Sequence, residues 1–170
     1  MRFFRRKIVE ETIERINDNW VYSPVKGKLK SLSEIDDEVF SSGMMGDGII
    51  VEPVDKTIVA PVSGRIAAVF ETKHAIAIES NSGCEVLIHI GIDTVELKGK
   101  YFDIGVKVGD RVEAGNLIGN VQFEEIKKNG YRTDVIVVIT NSDNYIVEKI
   151  PKENFIDKKE PLLNISKKGK

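Results

Sequence analysis

Apolar positions along this chain recur mostly in short alternating runs rather than in long helical stripes. The exception is Arg2–Asn17, where Phe4, Ile8, Val9, Ile13 and Ile16 fall on one broad side of a helical projection, with Thr12 between them. Its charge runs from Arg2, Arg5, Arg6 and Lys7 to Glu10, Glu11 and Glu14, the reverse of the order a helix dipole favours. The pattern predicts a short amphipathic helix or a disordered leader over residues 1–18. From Trp20 onward the texture changes to β-rich runs broken by glycine. Strand-like runs lie at Gly48–Val51, Lys56–Ala60, Thr72–Ile78, Glu85–Asp93, Gly105–Val108, Leu117–Val121, Asp134–Ile139 and Leu162–Ile165. Strands this short and closely spaced predict an all-β domain over 19–167, an antiparallel β-sandwich or partly closed barrel, with 168–170 as a tail. No alternation of strands with long helices appears.

The β region also repeats itself. Ser23-Pro24-Val25-Lys26-Gly27-Lys28-Leu29-Lys30-Ser31-Leu32 aligns with Ala60-Pro61-Val62-Ser63-Gly64-Arg65-Ile66-Ala67-Ala68-Val69, with Pro, Val and Gly identical. A second echo joins Val39…Met45-Gly46 to Val112…Ile118-Gly119. Proline before a strand and glycine inside it suit strand entries and bends. Two echoes predict a β-structure built from related halves.

Composition narrows the setting. At 170 residues the chain is long enough for one domain with one substantial core. Its formal net charge of −2 gives no general attraction to nucleic acid, and basic residues interleave with aromatics only in the first few positions. Cys84 is the sole cysteine, so no disulfide within the chain can form and a reducing compartment is expected. No apolar run approaches a membrane span. Met1-Arg2-Phe3-Phe4-Arg5-Arg6-Lys7 is basic, but no signal-type apolar region follows it. The expected location is therefore the cytoplasm. A basic, aromatic leader adds the expectation of weak contact with an anionic membrane surface.

The candidate chemistry rests on two histidines from a total of two. Strand alternation puts His74 on the face of Ile76 and Ile78, and His89 on the face of Leu87. Six residues, Ser80 to Glu85, separate the apolar runs, and a hairpin there would bring both imidazoles to one surface. Imidazole carries a proton, a metal or a phosphoryl group near neutral pH. The pair alone does not choose among them, and each histidine also has an ordinary reading as a partly buried side chain.

Other sites can be rejected. Gly43-Met44-Met45-Gly46-Asp47-Gly48 has glycines but no following Lys-Ser/Thr, so it is a turn rather than a phosphate loop. There is no His-Glu-x-x-His element and no cysteine cluster, which removes the commonest zinc sites. Ser80, His89 and Asp93 could be drawn as a triad, but nothing marks Ser80 as activated.

At His89 a resemblance becomes specific. Gly46-Asp47-Gly48-Ile49, Val59-Ala60-Pro61-Val62-Ser63-Gly64, Phe70-Glu71-Thr72-Lys73-His74-Ala75, His89-Ile90-Gly91-Ile92-Asp93-Thr94-Val95-Glu96-Leu97-Lys98-Gly99 and Val106-Lys107-Val108-Gly109-Asp110 occur in that order. Together they resemble the glucose-type enzyme IIA family of the bacterial phosphoenolpyruvate-dependent sugar phosphotransferase system. The likeness runs from about Trp20 to Asn144, and more loosely to Ile165. It implies a β-sandwich with duplicated hybrid motifs, in agreement with the internal echo.

The resemblance further implies a phosphoryl relay, with the carrier protein HPr as donor to His89 and a sugar-specific IIB domain, or an IICB permease, as acceptor. Under that reading Gly91 offers its carbonyl to one ring nitrogen of His89, leaving the outer nitrogen to attack. His74 stabilises the phosphoryl oxygens, and Thr72 orients His74. Val39, Phe40, Met44, Met45, Phe70, Leu87 and Val95 match apolar positions that ring the active histidine, while Asp37 and Asp93 face basic residues of the partners. Met44 and Met45 stand where β-branched residues are usual in the family, and Leu87 where phenylalanine is. No cofactor is required, though His74 and His89 could share a zinc ion completed by a partner. A regulatory role, holding transporters or metabolic enzymes when unphosphorylated, is compatible with the relay. A zinc peptidase of the lysostaphin type, whose fold is related, would need His-x-x-x-Asp and His-x-His elements that this chain lacks. The leader at Met1 leads us to expect a free-standing IIA protein, located in the cytoplasm or peripherally at the inner face of the membrane.

Overall fold

The computed structural model describes Ile13 and residues 15–169. The helix expected at Arg2–Asn17 therefore lies largely outside the described residues, and Arg15–Asn17 carry no helix. Fourteen strands are present among the described residues, every pairing antiparallel. In chain order they are β1 (Trp20–Tyr22), β2 (Gly27–Lys30), β3 (Asp47–Pro53), β4 (Thr57–Val59), β5 (Gly64–Val69), β6 (Ala75–Ser80) and β7 (Glu85–Ile90). Then follow β8 (Phe102–Ile104), β9 (Arg111–Val112), β10 (Leu117–Val121), β11 (Val135–Ile139), β12 (Tyr145–Lys149), β13 (Phe155–Ile156) and β14 (Pro161–Lys167). Two short helices, α1 (Glu38–Ser41) and α2 (Phe123–Lys128), interrupt them. The largest sheet has the order β13-β2-β3-β11-β7-β6-β5-β9, and two three-stranded sheets, β1-β14-β12 and β4-β10-β8, complete the sandwich.

The centre of the large sheet is covered on both faces, which explains why β11 reads as an unbroken apolar run. Val135, Val137 and Ile139 enter the main core with Ile49 and Val51 of β3 and Val86, Ile88 and Ile90 of β7. Ile136 and Val138 face the other way, into a second cluster with Ile50, Ala75 and Leu87. Leu32, Ile35 and Phe40, from the segment before β3 that includes α1, roof that cluster. Asp37 caps α1, its carboxylate accepting the Val39 amide at 3.0 Å. Each fully buried isoleucine contributes about 1.5–3 kcal/mol. The second cluster includes Phe40 and Leu87, two of the residues expected around the histidines.

The first internal echo has a physical cause. A Cβ on Gly27 would stand 2.0 Å from the Glu52 carbonyl, and one on Gly64 would stand 2.0 Å from the Glu79 carbonyl. Both glycines admit close approach of the neighbouring strand, at equivalent places in β2 and β5. The second echo holds only at its glycine end. Gly46 and Gly119 both press against a backbone carbonyl, of Ile139 and Asp103, but Val39 lies in a helix and Val112 in a strand.

Most expected strands are present, with one shifted. The run Gly105–Val108 is not a strand; the strand is β8, just before it. Asp110 closes a turn there, its carboxylate accepting the Lys107 amide at 3.0 Å, and Val108 is left exposed.

Candidate functional site: paired imidazoles at the mouth of a hairpin

The hairpin of β6 and β7 carries the site. Its loop is closed by the Ser80 amide donating to the Cys84 carbonyl at 2.8 Å. The register sets Ala75 opposite His89, so His89 projects to the face of Ala75, Ala77 and Leu87, towards the second cluster. Strict alternation would send His74 to the opposite face with Ile76 and Ile78, as the sequence pattern suggested. It does not go there, because β6 begins only at Ala75. Lys73 adopts a left-handed conformation (φ 64°), and the turn Phe70–Ala75 is pinned by the Phe70 amide to the Ala75 carbonyl at 3.0 Å. The break frees His74 from the strand's alternation, and its ring lies 5.0 Å from that of His89, edge to face at 84°.

Each ring is held at Nδ1. His89 Nδ1 lies 2.9 Å from the Gly91 carbonyl oxygen, which can only accept, so the proton sits on Nδ1 and neutral His89 presents a lone pair at Nε2. Thr72 Oγ1 lies 2.7 Å from His74 Nδ1. Gly91 has φ 80°, and a Cβ there would fall 2.4 Å from Thr94 Cγ2 and 2.8 Å from the Arg132 carbonyl. Only glycine fits without rearrangement. Buried Thr94 donates its hydroxyl to the Ile90 carbonyl, bracing the same bend.

Burial lowers His89 to about 4, helped by the neighbouring charge of His74 and opposed by the Gly91 carbonyl and the carboxylates of Asp37 and Asp93. Burial likewise lowers His74. Both imidazoles are therefore neutral at pH 7. Cys84, buried beside Glu85, is pushed up to about 12 and offers no thiolate.

The residues expected around the histidines separate into floor and rim. Phe40 and Leu87 are buried, and the Phe40 ring packs 4.9 Å from His89. They form the floor and do not stand free at the surface, because the second cluster needs them. Phe70, half-exposed, sets its edge 5.4 Å from His74. Val39, Met44 and Val95 are exposed, Met44 most of all at 76 %, and Met45 is partly covered against the cluster. Asp93 is exposed in a left-handed conformation (φ 61°) ahead of the turn that presents Val95. Among the described residues no group of three or more His, Cys, Asp or Glu converges as a metal site. The two imidazoles supply two nitrogens, half of a tetrahedral set.

Sequence reasoning missed Asp134, which is 2 % exposed and bonded to Lys30 and Arg132. The one available sign was a carboxylate directly before the apolar run of β11.

The model of the phosphoenolpyruvate-dependent sugar phosphotransferase system, EIIA 1, matches residues 19–145. The chain belongs to that family. Among curated relatives, the beta-glucoside-specific EIIBCA component of Bacillus subtilis is 43% identical over 146 residues, covering 86% of this chain and 24% of that protein. The glucose-specific EIIA component of Bacillus cereus is 38% identical over 129 residues, covering 76% of this chain and 78% of that protein. Among solved structures, glucose permease IIA from Mycoplasma capricolum superposes with a TM-score of 0.80 at 34% identity, over 85% of this chain and 93% of that one. The chain thus spans about a quarter of the multidomain EIIBCA relative and most of the EIIA proteins. The EIIA β-sandwich is the fold described above. Among the described residues no helix is long and apolar enough to cross a membrane.

Proposed function

We propose that this EIIA chain is a phosphoryl carrier, taking the group from phospho-HPr on His89 Nε2 and passing it to a sugar-specific IIB domain or IICB permease. One observation carries the reading. His89 Nδ1 lies 2.9 Å from the Gly91 carbonyl, which accepts the ring N–H and leaves Nε2 as the nucleophilic nitrogen, while burial favours the neutral ring. In the forward step the Nε2 lone pair forms an N–P bond while the donor's N–P bond breaks, its electrons returning to the donor ring. In the onward step the IIB acceptor attacks the same phosphorus and His89 leaves as neutral imidazole.

His74 has no need to bond to phosphorus. Thr72 Oγ1 lies 2.7 Å from His74 Nδ1, and a hydroxyl proton donated there would leave the His74 proton on Nε2, available to the phosphoryl oxygens. The dianionic group would also oppose the effect of burial and raise His74, strengthening that hydrogen bond. Val39, Met44, Phe70 and Val95, with Asp37 and Asp93 beside them, form the surface on which partners dock. An apolar rim excludes water from a labile N–P bond, and carboxylates select basic partners. Regulated transporters or metabolic enzymes are further candidates for the same rim. Zinc binding belongs to partner complexes, since His74 and His89 leave two ligand positions to be supplied from outside. Contact of the basic leader with anionic membrane rests on residues beyond the described ones.

The test is HPr-dependent labelling. Phosphoenolpyruvate, enzyme I and HPr should add one phosphoryl group to the wild type, acid-labile and alkali-stable, and none to His89→Ala. An adduct of equal yield on the variant would overturn the assignment.

A further inference from the structure

The segment 132–134 is not part of a strand, yet the bend that fixes His89 hangs from it. The Gly91 amide donates to the Asp134 carbonyl at 2.8 Å, and the Ile92 amide donates to the Arg132 carbonyl at 3.3 Å. Gly91 in turn offers the carbonyl that holds the His89 proton. The side chains anchor this segment. Lys30 Nζ of β2 reaches past β3 to Asp134 Oδ1 at 3.1 Å, and also meets Glu52 of β3 at 2.8 Å. Arg132 closes on Asp134 Oδ2 through Nε at 3.0 Å and Nη2 at 2.9 Å. Both oxygens of a buried carboxylate are thereby used, one for each cation.

We propose that Lys30, Asp134 and Arg132 are positioning residues for His89, clamping the segment whose backbone sets the Gly91 carbonyl and so the imidazole tautomer. The inference deepens the carrier reading and rests on it for the kinetic consequence only. Stability is a poor reason for such a cluster, because apolar residues of similar volume often replace a buried ion pair at no loss. Geometry is a better one. Loss of the clamp lets the Gly91 carbonyl drift, and His89 then populates the form with its proton on Nε2, which cannot attack.

The experiment replaces the pair together, Lys30→Met with Asp134→Leu, so that no buried charge is left alone. Thermal unfolding first shows that the variant folds. The readouts are the imidazole ¹⁵N shifts of His89 and the initial rate of labelling by phospho-HPr. The proposal expects the Nδ1-protonated form in the wild type, admixture of the Nε2-protonated form in the variant, and a rate about tenfold lower, the scale of losing a group that orients a ligand or nucleophile. A folded variant with unchanged tautomer and rate would overturn it. Arg132→Gln is the second arm, at a side chain 48% exposed where folding tolerates change. It should move both readouts in the same direction by less, and if the double variant does not fold, unchanged shifts here overturn the proposal. Absence of any label on wild-type His89 would instead sink the carrier reading and leave the tautomer result to decide the clamp.

Discussion

Lowering the pH acts directly on the neutral state of His89 that the proposed carrier role requires. An unfolded histidine titrates near 6.5, whereas burial and His74 hold His89 at about 4 in the folded protein. Between those values the unfolded chain binds more protons, so the stability of the folded state falls as the pH drops. The loss is complete below pH 4, where the gap is worth about 3 kcal/mol, and about 2 kcal/mol of it is already felt at pH 5. Urea unfolding of the wild type and His89→Gln at pH 7 and pH 5 isolates this contribution, since the carboxylates are common to both proteins. The wild type should lose about 2 kcal/mol more than the variant between the two pH values. Equal losses would show that His89 titrates as an ordinary imidazole and would refute the effect of burial on it.

The other predictions probe its neighbours. His74→Gln should still be labelled by phospho-HPr, while onward transfer to a IIB domain slows by roughly two to four orders of magnitude in single-turnover experiments; transfer at the wild-type rate would remove His74 from the mechanism. Gly91→Ala should destabilise the protein by roughly 2–4 kcal/mol, because φ 80° and the contact with Thr94 both oppose a Cβ; an unchanged denaturation midpoint would contradict the crowding. Calorimetry should find only weak zinc binding to the free protein, and weaker still after phosphorylation, because metal and phosphoryl group need the same nitrogen of His89; tight stoichiometric binding to the phosphorylated protein would exclude that scheme.

Short β-branched apolar runs made β3, β10 and β11 legible, and the Pro-Val-Gly echo was legible because two glycines meet the same steric demand in β2 and β5. Strands of two or three residues, such as β9 and β13, are too short to carry a periodic signal. The six-residue α2 is hidden for the same reason. Alternation also misjudged His74, since the left-handed Lys73 that breaks the strand is not marked by a glycine. At the site, the pairing of the only two histidines could be read from their places in adjacent runs. The clamp of Lys30 and Asp134 could not, because its partners are 104 positions apart and meet only through the order β2-β3-β11. Phe40 and Leu87 were legible as apolar, but whether an apolar side chain is floor or rim depends on what roofs it.

The central claim is that Nε2 of His89, and no other atom, receives the phosphoryl group. It is tested most directly by labelling the histidines with ¹⁵N, charging the protein through phospho-HPr, and recording long-range ¹H–¹⁵N correlations of the imidazoles. The account predicts that phosphorylation appears at Nε2 of His89, with Nδ1 still protonated against Gly91 and His74 unmodified. Phosphorus on Nδ1 of His89, or on His74, would contradict it.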